Sequence, residues 1–157
     1  MIELDVVGIR LAAPEDAPVL LLQEKAGSRV IPIWISPVDA AAIAIALEDD
    51  AKPVRPLTHD LVANLLLLAG ENDGTVRITD VSEGIYYAVI ESGQLSLDSR
   101  PSDAIAVALR LGWPIECLDA VMDQVGVEVD EDDADEVERF KEFLDSVNPD
   151  DFEAEGP

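Results

Sequence analysis

Two stretches of the chain share a pattern that strongly constrains its fold. Residues 36–47 read SPVDAAAIAIAL, and residues 100–109 read RPSDAIAVAL. Each has a proline, an aspartate two positions later, and then a run of Ala with Ile or Val. Proline suits the first position of a helix, an acid in the first turn complements the helix dipole, and alanine is the best helix former. The pattern therefore predicts two equivalent helices, the first with Ser36 as its N-cap.

The segments that precede these two helices also match each other. VLLLQE ends at Glu24 and YYAVIE ends at Glu91, and each is followed by a Gly-containing turn and a second strand-like run. In the turn that follows VLLLQE, Gly27 is expected to supply a positive φ. The shared order of elements predicts a duplicated three-strand-plus-helix unit, about residues 2–48 and 74–112. The expected fold class is α+β, with mixed or antiparallel sheets and helices.

Further elements are predicted between and after the repeats. THDLVANLLLLAG predicts a helix with Thr58 as its N-cap and Gly70 as its stop. WPIECL predicts a short strand and DAVMDQVG a short helix. The domain is expected to span residues 1–126, followed by an acidic tail at 127–157 in which EVERFKEFLDSV predicts a short amphipathic helix. The apolar face of that helix would contain Val137, Phe140, Phe143 and Leu144.

The chain has the composition of a cytoplasmic protein. Its start, MIELDVVGIR, carries acids where a secretory signal needs positive charge, and no apolar run is long enough to span a bilayer. The single Cys117 cannot form an internal disulfide, which agrees with a reducing compartment. These features predict a cytoplasmic location and no membrane partner.

Acidic residues dominate the charge of the chain. There are 34 acids against 10 bases, for a net charge of -24, and residues 128–157 alone hold 14 acids and 2 bases. Self-repulsion of this size favours solubility and opposes general attraction to nucleic acid or to an anionic membrane. Any nucleic-acid binding would therefore need a local basic patch, a divalent metal ion, or both.

The motif RPLTHDL holds the only histidine. An imidazole is the one side chain that ordinarily titrates near neutral pH, and His59 lies beside Asp60 and downstream of Arg55. If a helix begins at Thr58, the free N–H groups of its first turn offer a site to an anion such as phosphate. The structural alternative is that Thr58 caps the helix, Asp60 complements its dipole and His59 lies at the surface.

The motif RPSDAIA differs from the first copy of the repeat in one informative way. Arg100 precedes the proline here, whereas Ser36 holds that position in the first copy, so the helix start does not require an arginine. Arg55 and Arg100 are therefore candidates for a local anion site, because a guanidinium matches the geometry of phosphate. Ser102 would cap the helix or donate to a phosphate. The structural alternative is a salt bridge between Arg100 and Asp103.

Several common catalytic and metal-binding motifs are absent. The sequence has no HExxH, CxxC, P-loop, GxGxxG or GxSxG pattern, and one His with one Cys cannot form a standard zinc site. Carboxylate oxygens suit Mg²⁺ or Mn²⁺, and Asp60 and Asp103 are the candidate ligands.

Four stretches together resemble the bifunctional nuclease family, once known only as a domain of unknown function: RPLTHDL, PIWISPVDAAAIAIAL, ITDVSEGIYYAVI and RPSDAIAVALRLGWPI. The resemblance runs from about Ile2 to Gly126, and the acidic tail is similar to the extension of actinobacterial members. It implies a mixed α+β domain that forms dimers or higher homo-oligomers and acts on DNA and RNA.

The resemblance favours metal-assisted hydrolysis of phosphodiester bonds in DNA, RNA or both. In this hypothesis Asp60 and Asp103 hold Mg²⁺ or Mn²⁺, and His59 acts as general base or acid. Arg55 and Arg100 steady the phosphate. The predicted site consists of seven side chains from the two motifs: Arg55, Thr58, His59, Asp60, Arg100, Ser102 and Asp103.

Two other functions fit the sequence. The high negative charge favours a non-catalytic oligomeric module that binds a small anionic ligand or a protein partner, with the acidic tail as an interaction arm or a solubilising segment. A purely structural role is the third possibility, in which pairs such as Arg55 with Asp103 tie the two halves of the domain together.

Overall fold

Strands and helices alternate in groups along the chain. The structure is a computed structural model and describes residues 1–48, 50 and 52–129. The described part contains eight strands and four helices, which confirms the α+β class. In chain order they are β1 (Ile2–Arg10), β2 (Val19–Glu24), β3 (Arg29–Trp34), α1 (Pro37–Leu47), α2 (Thr58–Leu68), β4 (Thr75–Ser82), β5 (Ile85–Ser92), β6 (Leu95–Ser99), α3 (Pro101–Leu111), β7 (Ile115–Cys117), α4 (Asp119–Val125) and β8 (Val127–Glu128).

All eight strands form one mixed sheet in the order β6-β5-β4-β7-β1-β2-β3-β8. Only β4 and β7 are parallel, and the other neighbours are antiparallel. Each half of the chain supplies three consecutive antiparallel strands followed by a helix. This order agrees with the repeat pattern in the sequence, and the duplication itself stays a prediction.

The core lies between the sheet and α3, which is the most buried of the four helices. Seven of its eleven residues are buried, and alanine accounts for three of them. Because alanine side chains are small, α1 and α2 can pack closely on either side of α3, and both helices contact it. The packing brings the N-terminal turns of these three helices together, and that is where the two sequence motifs meet.

The starts of α1 and α2 differ from each other. Ser36 accepts a hydrogen bond from the backbone N–H of Asp39 at 3.1 Å, so its predicted role as N-cap is confirmed. The prediction for Thr58 is wrong, because Thr58 is the first helical residue and Leu57 is the N-cap. At the start of α2, the side chain of Asp60 accepts a hydrogen bond from the backbone N–H of Leu57 at 2.8 Å.

The prediction that Gly27 supplies a positive φ is also wrong. Gly27 does not belong to the residues with left-handed backbone, whereas Gly70 does and follows the end of α2 as expected. Gly112 has the same backbone conformation directly after α3. At Gly27 the constraint is space, since a Cβ there would clash with the carboxylate of Glu24. Arg29 holds that carboxylate in place with two hydrogen bonds.

Residues at the end of the described part join the sheet. The two residues of β8 pair with Arg29 and Val30 of β3. The predicted tail helix, with its apolar face of Val137, Phe140, Phe143 and Leu144, lies outside the described residues.

Candidate functional site

A histidine–aspartate pair joins the two sequence motifs. His59 is the second residue of α2 and Asp103 is the third residue of α3, and Nε2 of His59 lies 2.9 Å from Oδ1 of Asp103. The His59 side chain is 17% exposed and that of Asp103 is 37% exposed. The pair is therefore partly shielded but open to solvent on one side.

Arg100 extends this pair to a third helix. Its Nε donates to Oδ2 of Asp103 at 2.9 Å, while Nη1 and Nη2 donate to the two carboxylate oxygens of Asp39 at 3.3 and 3.0 Å. Asp39, in the first turn of α1, has a side chain only 9% exposed, whereas that of Arg100 is 52% exposed. Asp39, His59, Arg100 and Asp103 thus form one continuous arrangement, hereafter the four-residue network.

Asp60 belongs to a different contact. Its Oδ1 accepts a hydrogen bond from Nε of Arg110 at 2.7 Å, while Oδ2 is occupied by the N–H of Leu57. Arg110 also donates to the backbone carbonyls of Ala106 and Ala42, at 2.7 and 3.1 Å. With a side chain only 8% exposed, Arg110 ties α1, α2 and α3 together at a point separate from His59.

The structure brings together three of the seven predicted site residues, namely His59, Arg100 and Asp103. Among the described residues, neither Arg55 nor Thr58 makes a hydrogen bond or ion pair with this group, and both are exposed. Ser102 is buried in the first turn of α3 and does not cap it. Its burial removes it from the surface that a polymeric substrate would touch.

Two residues of these contacts were not predicted as part of a site. The sequence pattern places Asp39 only at the helix start, although its place in the repeat makes it the counterpart of Asp103. Arg110, in the last turn of α3, has the position of a residue that complements the helix dipole. The repeat was the available signal for Asp39, but the sequence carried no comparable signal for Arg110.

The pKa values of Asp103 and Asp60 are both lowered. Burial by itself raises the pKa of Asp103, but hydrogen bonds from Arg100 and His59 outweigh this effect and hold the pKa below its ordinary value. At Asp60, burial likewise raises the pKa, and the Leu57 N–H together with Arg110 brings it below the ordinary value. Both residues therefore stabilise the fold in their charged form.

The lowered pKa of Asp60 gives a pH-dependent prediction. A carboxyl group whose pKa is lower in the folded state contributes stability above its unfolded pKa of about 3.9 and loses that contribution as the pH falls through the folded pKa. We expect Asp60→Asn to reduce the free energy of unfolding by about 1 kcal/mol at pH 7, because a partly exposed hydrogen bond to charged Arg110 is weakened. Urea unfolding should show the difference shrinking as the pH falls below the unfolded pKa, and vanishing only when the pH also lies below the lowered folded pKa.

The matched control for this experiment is Asp98→Asn, at an exposed position on β6. Acid also weakens the repulsion between carboxylates over the whole chain, in the parent and in the variants alike. Comparing each variant with the parent at the same pH cancels this shared effect. A difference for Asp60→Asn that stays constant between pH 7 and pH 3 would contradict the assigned pairing.

The carboxylates do not fit a resident divalent metal ion. The described residues contain no group of three or more His, Cys, Asp or Glu side chains that could hold one. All four oxygens of Asp60 and Asp103 already accept hydrogen bonds, from Leu57, Arg110, His59 and Arg100. A hard cation needs free oxygen ligands, so these two residues would have to leave their partners to bind one.

A cavity of about 540 Å³ lies on the Asp60 side of α2, between the end of α1, residues 52–56 and the end of α3. This volume is in the range of small-molecule sites. Apolar side chains such as Leu67 and Leu109 contribute to its lining, together with the polar groups of Lys52, Asn64 and Arg110. His59 and Asp103 are not part of the lining, so the cavity and the four-residue network are distinct features.

No helix formed by residues 1–48, 50 and 52–129 combines the length and apolar character required to cross a membrane.

Comparison with known proteins identifies the family. An uncharacterized protein of Mycobacterium tuberculosis (strain CDC 1551 / Oshkosh) is 48% identical over 162 aligned residues, which cover 97% of this chain and 98% of the relative. An uncharacterized protein of strain ATCC 25618 / H37Rv matches to the same extent. Bifunctional nuclease 1 of Oryza sativa subsp. indica is 30% identical over 118 residues, which cover 71% of this chain and 35% of the rice protein. A model of the bifunctional nuclease domain matches residues 20–130, which is more than half of the chain. The resemblance seen in the four stretches is thereby confirmed, and the chain belongs to the bifunctional nuclease domain family.

Proposed function

We propose that the protein hydrolyses phosphodiester bonds of DNA, RNA or both, with His59 and Asp103 at the centre of the site. The observation that carries the proposal is the 2.9 Å contact between Nε2 of His59 and Asp103, beside the guanidinium of Arg100. Family membership supports it, since the rice relatives carry the name bifunctional nuclease.

His59 supplies the acid–base chemistry in this proposal. The charged Asp103 accepts the Nε2–H, which leaves the lone pair on Nδ1 free to take a proton from the attacking water or hydroxyl group. The protonated imidazole then donates its Nδ1 proton to the departing oxygen, and Asp103 stabilises the positive charge in between. In the described part of the chain Nδ1 has no hydrogen-bond partner of its own.

Arginine side chains are proposed to hold the phosphate. Arg100 is half exposed and adjoins the imidazole partner Asp103, so a phosphate oxygen reaches it by displacing one of its carboxylate contacts. We assign to Arg55 and Thr58, which are exposed just before or at the start of α2, the role of steadying a longer substrate. A net charge of -24 opposes this binding, so we expect weak affinity for nucleic acid.

The test is an assay of the purified full chain on single- and double-stranded DNA and RNA, with Mg²⁺, Mn²⁺ or EDTA. We expect cleavage of at least one substrate well above a mock purification, and its absence from all four would contradict the proposal. Restoration by Mg²⁺ or Mn²⁺ after EDTA would support the metal requirement that the family resemblance favours, although Asp60 and Asp103 do not fit a resident ion. Undiminished cleavage in EDTA would contradict that requirement alone.

A second candidate function is a non-catalytic oligomeric module, cytoplasmic like the first, that binds a small anionic ligand or a protein partner. The cavity of about 540 Å³ favours it by its size, and Lys52 and Asn64 contribute a cation and an amide to a lining that also holds Arg110 and the carboxylates of Glu48 and Asp60. Repulsion between the acidic chain and a polyanion favours it as well. It predicts no turnover in the assay above.

A further inference from the structure

The sheet has a second apolar surface, on the side away from α1, α2 and α3. Along β2, Leu20 and Leu22 belong to the main core between the sheet and the helices. Val19 and Leu21 alternate with them and therefore point to the opposite side of the sheet. Both are only 1% exposed. Burial this complete requires a layer of side chains on that side as well.

The described residues provide only the margins of this layer. Val30 of β3 forms one cluster with Val19 and Leu21, and the surface of these three residues is called the outer face of β2 and β3 below. The apolar side chains of residues 1–48, 50 and 52–129 that pack on it are those of Trp34, at the end of β3, and Val129, just after β8. The exposures refer to a single chain, so the rest of the layer belongs to the same molecule.

The chain runs onto this surface where the described part ends. Strand β8 pairs with β3, and the N–H of Val129 donates to the carbonyl of Ser28 at 3.0 Å. Residues 130–136 span up to about 23 Å when extended, whereas two neighbouring strands are only about 10 Å wide. Residues from position 137 onward can therefore reach every part of the outer face.

The sequence beyond Val129 supplies the apolar side chains that such a layer needs. All three phenylalanines of the chain lie there, at positions 140, 143 and 152, and residues 1–129 contain none. A segment that serves only as a solvated acidic arm is poor in aromatic residues. In EVERFKEFLDSV, residues 136–147, helical spacing places four apolar residues on one side: Val137, Phe140, Phe143 and Leu144.

We propose that residues 136–147 form an amphipathic helix that packs its apolar side on the outer face of β2 and β3. Helix-on-sheet packing buries one apolar stripe and leaves the rest of the helix in solvent. The acids Glu138, Glu142 and Asp145 lie off the apolar stripe, where they remain hydrated. The partner of this surface is therefore the chain's own tail.

Docking at this place determines where the charge of the tail lies. The 14 acids of residues 128–157 are then anchored on the side of the sheet opposite to α2 and His59. The sheet and the helix layer stand between them, and charges more than about 8 Å apart are largely screened at physiological ionic strength. The tail then adds little to the repulsion of an anionic substrate near His59. The docking itself does not depend on the proposed hydrolysis.

Limited trypsin digestion of the full chain tests the docking. Arg139 and Lys141 are the only basic residues after position 129, so cleavage there reports on this helix. We expect slow cleavage in the parent and about tenfold or faster cleavage in Phe143→Glu, because the protease reaches only the undocked state. Ser146→Glu adds the same charge outside the apolar stripe and should be cleaved like the parent. Circular dichroism should show that all three proteins are folded.

Photo-cross-linking identifies the surface that the helix covers. A benzophenone amino acid in place of Phe143 should attach within residues 19–34 of the same chain, as located by peptide mass spectrometry. Attachment elsewhere, for example to exposed Leu65 of α2 or to a second copy, would overturn the proposal, and so would no attachment. Rapid tryptic cleavage of the parent that Phe143→Glu does not increase would overturn it as well.

Discussion

Replacing His59 with Gln is expected to lower the rate of phosphodiester cleavage by about 100-fold or more, the usual contribution of a positioned acid or base. Glutamine retains an amide that can donate to Asp103 at the start of α2, but it cannot take a proton from the attacking group. Single-turnover cleavage rates of the parent and of the variant are the measurement.

Two further variants separate catalysis from folding. Asn64→Gln changes an exposed amide on the same helix and should leave the cleavage rate unchanged. Asp103→Asn should reduce the rate less than His59→Gln, because Asp103 acts by positioning the imidazole and by stabilising its charge. If His59→Gln cleaved at the parent rate while remaining folded, the imidazole would have no catalytic role and the four-residue network would be purely structural.

Replacing Arg100 with Met is expected to reduce the free energy of unfolding by about 2–3 kcal/mol, the largest stability effect that we predict for a single side chain of the network. Asp39 is only 9% exposed, and Arg100 provides two hydrogen bonds to its carboxylate. Without the guanidinium, the buried carboxylate keeps its desolvation cost and loses its partner. The solvent exposure of Arg100 itself keeps the effect below that of a fully buried pair. Urea unfolding at pH 7 is the measurement.

The double variant Arg100→Met with Asp39→Asn tests this explanation. Removing the orphaned charge should restore at least half of the lost stability, because neutral groups cost less to bury. Arg55→Met is the control, since Arg55 is an exposed arginine in an equivalent Arg-Pro sequence and should change stability by less than about 0.5 kcal/mol. A loss for Arg100→Met no larger than that of the control would show that Asp39 does not depend on the guanidinium.

Local chemistry made the helix ends largely predictable from the sequence. Proline at the first position, Ser36 as a cap and Gly112 as a stop act within a few residues of where they stand, so the sequence carries the necessary information. The error at Thr58 is of the same local kind. The N-cap lies one residue earlier, at Leu57, and the carboxylate of Asp60 at the third helical position accepts the hydrogen bond from the N–H of Leu57.

The composition of the site was less predictable, because it depends on which helices are neighbours. The contacts from Arg100 to Asp39 and from Arg110 to Asp60 join residues 61 and 50 positions apart. Spacing along the chain places Asp39, Asp60 and Asp103 in first turns, but it does not reveal which cation each one meets. The packing of α1 and α2 against α3 determines these partners: Asp103 pairs with His59, and Asp60 forms a hydrogen bond with Arg110.

The place of β7 in the sheet has a consequence for how the protein is made. Within the sheet that the described residues form, this strand of three residues lies between β4 and β1 and joins the first three strands to the next three. Until Ile115–Cys117 has left the ribosome, one edge of β1 remains without its partner, although β1 is the first strand to be synthesised. The two three-stranded groups therefore join into one sheet only when nearly the whole domain has emerged, and exposed strand edges of this kind are where nascent chains are prone to aggregate.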